Sequence, residues 1–165
     1  MESHIWIRPN EVTTNSHPIV EKWSAPGNYA YAFATFPGGR IRGDISQDGT
    51  GYDNLISDSL GLITAGTWTH VAMTYNSGLW KMYVNGSEES TKNSILSSIK
   101  STGTSNFVIG FYPEHPQYFP GLIDEVDFFN RELSASEILA IYSAGSAGKC
   151  KSIVTPTPTI TPSST

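Results

Sequence analysis

Glu125 and Asp127, in the run GLIDEVDFF at 121–129, are the first residues whose types and spacing suggest chemistry. Two residues apart along a strand, they would project to one side about 6.5–7 Å from each other, within reach of the separations that glycoside hydrolysis asks of a carboxylate pair. The plainer reading of the same residues is a solvated acidic strand edge. Asp48, Asp53 and Asn54, in DGTGYDN, offer the hard oxygen ligands that Ca²⁺ prefers, although Asp-Gly loops are ordinarily just turns. A third chemistry is stacking on sugar rings. Trp23, Tyr29, Tyr52, Tyr112, Tyr118 and Phe119 are the candidate platforms, most clearly in YPEHPQYF at 112–119. There Pro113, Pro116 and Pro120 stiffen the backbone and lower the entropy lost on docking. Tyr112 or Tyr118 would take the ring while Glu114, His115 and Gln117 meet its hydroxyls; core packing is the competing reading for each aromatic. Nucleophilic catalysis has little behind it, because no G-x-S-x-G is present and Cys150 lies beyond the last expected helix. His70 reads as a structural histidine inside a strand, and His4, His17 and His115 lack zinc-ligand spacing.

The elements that must position these groups are mostly strands. Residues 68–75 and 79–85 alternate around Asn76-Ser77-Gly78, a loop whose final Gly suits a left-handed backbone. Val71, Met73 and Tyr75 then share a face with Trp80, Met82 and Val84. Asn85-Gly86 supplies a second tight reversal, so three strands form a meander. Further strands are expected at 4–8, 19–23, 29–36, 40–45, 60–63, 107–111 and 121–129. Residues 46–58 and 112–120 read as loops, and 91–105 as loop with one ragged strand. In 29–36, Tyr29, Tyr31, Phe33 and Thr35 oppose Ala30, Ala32 and Ala34. The small face should let another layer approach; the bulky face offers packing or a ligand platform. In 121–129, alternation groups Leu122, Asp124, Val126 and Phe128 against Ile123, Glu125, Asp127 and Phe129. A helix is expected over 135–143, opened by a capping box from Ser134 and Glu137, stapled by Leu133 and Ile138, and stopped at Gly145.

Three of these stretches resemble one family. W-T-H-V-A at 68–72 with Y-V-N-G at 83–86, the closing GLIDEVDFFNRELSASEILAIY at 121–142, and IWIRPNE at 5–11 are similar to laminin-G-like, concanavalin-A-type jelly-roll domains of secreted and surface proteins. The resemblance covers roughly 4–145. It implies an all-β fold, a two-sheet antiparallel jelly-roll sandwich with one short C-terminal helix. It also implies a bound Ca²⁺, with Asp124 carried over first and Asp48 and Asp53 as further ligands. A glucanase-type pattern in this family would place a third acid at 129, where this chain has Phe129. Such domains begin some tens of residues earlier, with another strand and an F-D-G turn, so the chain reads as an N-terminally truncated domain with an unprotected sheet edge.

Composition narrows the rest. With 165 residues, 15 Gly, 10 Pro and 12% aromatics, the chain suits one domain of many short strands. A net charge of −5 without a basic run argues against a nucleic-acid partner, and no apolar stretch is long enough for membrane insertion. The single cysteine rules out an internal disulfide framework. Residues 1–150 are read as the jelly-roll domain and 151–165, ending TPTPTITPSST, as a Thr/Pro-rich disordered linker to neighbouring domains. The expected function is non-catalytic recognition of a glycan or an extracellular protein surface, in a secreted or cell-surface protein. The alternatives are a glucanase-type hydrolase using Glu125 and Asp127, and a purely structural adhesion domain.

Overall fold

A computed structural model describes residues 2–113 and 116–145. Twelve strands and one helix are found among them: β1 (Glu2–Pro9), β2 (His17–Lys22), β3 (Tyr31–Phe36), β4 (Arg40–Ile45), β5 (Asp53–Ile56), β6 (Thr69–Asn76), β7 (Leu79–Val84), β8 (Ser87–Asn93), β9 (Val108–Ile109), β10 (Phe111–Tyr112), β11 (Gln117–Tyr118), β12 (Gly121–Phe129) and α1 (Ala135–Ala144). They form two five-stranded antiparallel sheets, in the orders β12-β1-β6-β7-β8 and β5-β4-β3-β2-β9, with β10-β11 as a separate small hairpin. The expected sandwich is present. β1 is an interior strand, between β12 and β6. The expected linker and Cys150 lie outside the described residues, as do Glu114 and His115.

The meander sets the inner face of the first sheet. Val71 pairs with Val84, Met73 with Met82 and Tyr75 with Trp80, as the alternation predicts. These side chains meet Ile5, Ile7, Ile19, Phe33, Ile41 and Ile45 in the core between the sheets. Gly43 is required there, since a Cβ would stand 2.4 Å from the Met73 sulfur and 2.8 Å from the Trp80 ring. The β6–β7 connection is tighter than expected. Asn76 pairs with Leu79, leaving a two-residue loop in which both Ser77 (φ 48°) and Gly78 (φ 96°) are left-handed. That geometry matches the twist of paired strands better than a longer loop does.

Four other expectations change. The run 46–58 is not all loop, because β5 pairs with β4 inside it. Residues 60–63 form no strand; Gly61 and Ile63 donate instead to the carbonyls of Gly38 and Gly39 at the β3–β4 turn. The strand at 107–111 breaks at Gly110, whose φ of 68° turns the chain from β9 into β10. The fourth change concerns β12. Its register with β1 shifts, so that His4 faces Asp127 while Trp6 faces Asp124. Glu125, with φ 47°, sits in this bulge. Such an extra residue breaks strict alternation, and Ile123 and Val126 both reach the core despite being three positions apart. Asp124 therefore does not share a face with Val126.

The helix begins as the capping box predicts: Glu137 N–H donates to Ser134 Oγ (3.3 Å) and Ser134 N–H donates to Glu137 Oε2 (2.8 Å). Ile138, fully buried, joins Leu133, Ala72 and Tyr83 in a second cluster on the outer face of the first sheet. Gly86, with φ 79°, lets the helix settle on the β7–β8 turn; a Cβ there would meet Leu139 at 2.9 Å and Tyr142 at 3.0 Å.

Candidate functional site

The outer face of the second sheet carries an open groove of about 340 Å³. Its floor comes from the alternation of β3. Phe33 and Thr35 turn into the core, so Ala32 and Ala34 face outward with only methyl groups. The small face, expected to admit another protein layer, is thus the floor of a cleft. A register shift in β2 after Pro18 sends Ile19 and Val20 both inward and leaves Pro18, Glu21 and then Trp23 along the groove. Outward positions of β4 supply Arg42 and Asp44.

Aromatic rings wall this groove. Trp23 stacks on Tyr29 with centroids 4.3 Å apart and planes 10° apart, and Tyr52 meets Trp23 edge-on at 5.5 Å. The pairs hold one another in place, and Tyr52 remains 51% exposed. The β10–β11 hairpin packs beside β2 and adds Tyr112 and Gln117. The polar groups are fixed too. Arg42 donates from Nε (3.0 Å) and Nη2 (2.6 Å) to Asp44 Oδ1 and interacts electrostatically with the Tyr52 side chain. Burial pushes the Asp44 carboxyl up, against the downward pull of Arg42, and the net shift is upward. Glu21 is 4% exposed.

Of the 112–119 loop residues proposed for sugar, Tyr112 and Gln117 line this groove. Tyr118 points elsewhere, stacked on Phe111 at 4.8 Å and largely exposed. Phe119 is buried in the core. The groove's centre is therefore the sheet face around Trp23, Tyr29 and Tyr52, all named as aromatic candidates, rather than the 112–119 loop. Arg42, Asp44, Glu21 and the alanine floor were missed as a unit. Their signal was present in RIRGDI, where two opposite charges two residues apart share the side away from Ile41 and Ile45.

The acidic candidates do not come together. Asp48 accepts N–H groups of Thr50 (2.8 Å) and Gly51 (3.0 Å), which hold its carboxyl below the usual range. Asp53 is partnered by Lys92 and by Ser94 Oγ at 2.7 Å; burial raises its carboxyl, but these contacts win and the net is downward. Asp124 lies on β12, the opposite edge of the first sheet from β8, which carries Lys92. The three proposed Ca²⁺ ligands thus do not fit one ion. Among the described residues no group of three acidic, His or Cys side chains is arranged for a metal. The proposed hydrolytic pair is also divided. Glu125 joins Asp124, Trp6 and Trp68 around a separate pocket of about 300 Å³. Asp127 lies beyond the bulge, its Oδ2 3.3 Å from Nε2 of the fully buried His4.

The family assignment follows from residues 4–139, which match the model of the concanavalin A-like lectin/glucanases superfamily. The chain belongs to that superfamily. A sequence search among curated proteins finds no match. Among solved structures, this superfamily member is similar to the CBM40 of a Ruminococcus gnavus IT-sialidase bound to alpha2,3 sialyllactose (15% identity, TM-score 0.68, 86% of this chain and 81% of that one). It is also similar to the receptor-binding domain of botulinum neurotoxin D (19%, 0.65, 87% and 36%). A third is domain 4 of AbnA, an extracellular arabinanase from Geobacillus stearothermophilus, in complex with arabinotriose (20%, 0.64, 84% and 64%). The chain thus spans little more than a third of the toxin domain. At these identities the likeness is one of fold. Among the described residues no helix is long and apolar enough to cross a membrane.

Proposed function

We propose that this domain is a non-catalytic carbohydrate-binding module of a secreted or cell-surface protein, and that it holds glycan in the groove of the second sheet. The observation that carries this reading is the alanine-floored cleft walled by Trp23, Tyr29 and Tyr52, with Arg42 and Asp44 fixed between them. Rigid aromatic surface supplies contact area at low entropy cost. A few convergent polar groups then fix orientation. Sugar rings offer apolar faces and peripheral hydroxyls, which match both halves of this lining. The sialyllactose and arabinotriose named for two structural neighbours support glycan as the ligand class. Individual neutral hydrogen bonds contribute about 0.5–1.5 kcal/mol net, so one groove should bind weakly. Tethering several modules would raise the avidity.

The test is a glycan array followed by titration of the best ligand. Tyr52→Ala removes a half-exposed wall without opening the core and should weaken binding at least about fivefold, the scale of losing more than 1 kcal/mol at an interface anchor. Ile95→Ala, at a position 88% exposed and away from the groove, should leave affinity unchanged. Equal affinity in both variants would remove the groove as the site.

A further inference from the structure

Among the described residues lining the groove, Arg42 is the one cation, and Glu21 and Asp44 are the acids. Two guanidinium nitrogens of Arg42 converge on a single Asp44 oxygen, at 3.0 and 2.6 Å, and Tyr52 interacts with the guanidinium electrostatically. Its guanidinium also lies 5.8 Å from the centre of the Phe36 ring. The cation is held from several sides before any ligand arrives. Asp44 is only 9% exposed and Glu21 only 4%.

A ligand carboxylate entering here would shed water without gaining a free cation among the described residues, and would approach a second buried acid. Like charges brought together across an interface are a strong means of rejecting a partner. Hydroxyl groups face the opposite situation, since carboxylates accept their protons in charge-assisted hydrogen bonds. We propose that the groove takes uncharged glycans and turns away sugars bearing a carboxylate, such as sialic and uronic acids, with the Arg42–Asp44 pair setting that choice. This rests on the groove being the glycan site.

Matched ligands test it: lactose against sialyllactose, and xylo-oligosaccharides against their glucuronate-bearing forms, titrated calorimetrically into the wild-type domain. The neutral member of each pair should bind at least about tenfold more tightly, the scale expected of a like-charge mismatch. Asp44→Asn frees the guanidinium at nearly constant shape and should move the acidic-to-neutral affinity ratio at least about tenfold toward the acidic ligand. Glu21→Gln should move it the same way, which keeps the test alive if the first variant does not fold; the wild-type comparison needs no variant. Tighter or equal binding of the acidic members by wild type overturns the inference, as does an unchanged ratio in both folded variants. In those cases glycan still binds and Tyr52→Ala still weakens it, so the groove reading survives. Silence toward every glycan would instead sink that reading, and this one with it.

Discussion

On the outer face of the first sheet, His4, His70, Ala72 and Tyr83 lie fully or almost fully buried beneath α1 and its flanking residues. On the outer face of the second, Ala32 and Ala34 lie at the bottom of an open cleft. Both faces use the same pleat, yet the sequence furnishes them differently. The first presents rings that need a cover: His4 is stacked with Phe129 at 5.6 Å, and Trp6 with Tyr142 at 5.9 Å. The second places small side chains on the strands and its rings at the rim. Large groups on a sheet face call for a helix; methyl groups ringed by aromatics leave room for a ligand.

The largest test of this contrast is Ile138→Ala. The side chain is fully buried between the helix and the first sheet, and truncating such a residue typically costs about 2–5 kcal/mol. Urea denaturation should show that loss, while glycan affinity below the unfolding transition stays at the wild-type value. Reduced affinity in the folded variant would mean that the two faces are not independent.

A pH-dependent test addresses the covered face alone. Glu2 is completely buried there and accepts the Leu133 N–H at 2.5 Å; burial, partly offset by that bond, pushes its carboxyl up to about 7 from 4.5. The folded state therefore binds more protons than the unfolded one between those values. Its stabilising contribution is complete below about 4.5 and is lost as pH rises to about 7. His70 behaves oppositely. Burial, then the neighbouring His4, lowers it to about 4 from 6.5, so its contribution grows as pH rises through that window. The two slopes oppose each other in the wild type. Glu2→Gln should unmask the His70 slope, and the variant should gain on wild type by about 3 kcal/mol between pH 4.5 and 7. Denaturation midpoints for both proteins across that range would show it. A constant difference between them would place Glu2 in water.

The covered face was the more legible of the two. The S-x-x-E pattern placed the helix that covers it, and period-two alternation named Val71, Met73, Tyr75, Trp80, Met82 and Val84 correctly on the opposite, inner face of the same sheet, because both signals are local. The bulge at Glu125 was hidden, since no glycine marks the left-handed residue there. It broke the expected faces of β12 and, with them, the proposed pairing of Glu125 with Asp127. The groove was legible in parts only. Trp23, Tyr29 and Tyr52 come from three separate stretches, and Arg42 meets Asp44 on a strand that alternation alone described as half exposed. What unites them is the pairing of β2, β3 and β4, a long-range fact that no single segment carries. The Ca²⁺ expectation failed to assemble for the same reason: strand order puts Asp124 and Asp53 at opposite edges.

The smallest effect concerns how the cover is fastened. Ser134 opens α1, and its Oγ accepts the Glu137 N–H while the Glu137 carboxylate returns to the Ser134 N–H and Oγ. Arg131 holds the same carboxylate from outside, at 2.7 and 3.1 Å, and these contacts together keep Glu137 low, at about 2. Ser134→Ala removes one side of the box and should cost about 1 kcal/mol. The loss is smaller than for Ile138→Ala because the cap orders the helix start, whereas Ile138 supplies the apolar surface that binds the helix to the sheet. Combining the two substitutions separates these roles. If the cap acts only through a docked helix, the double variant should lose less than the sum of the singles in urea denaturation. Strict additivity would show that the first turn forms without the sheet beneath it.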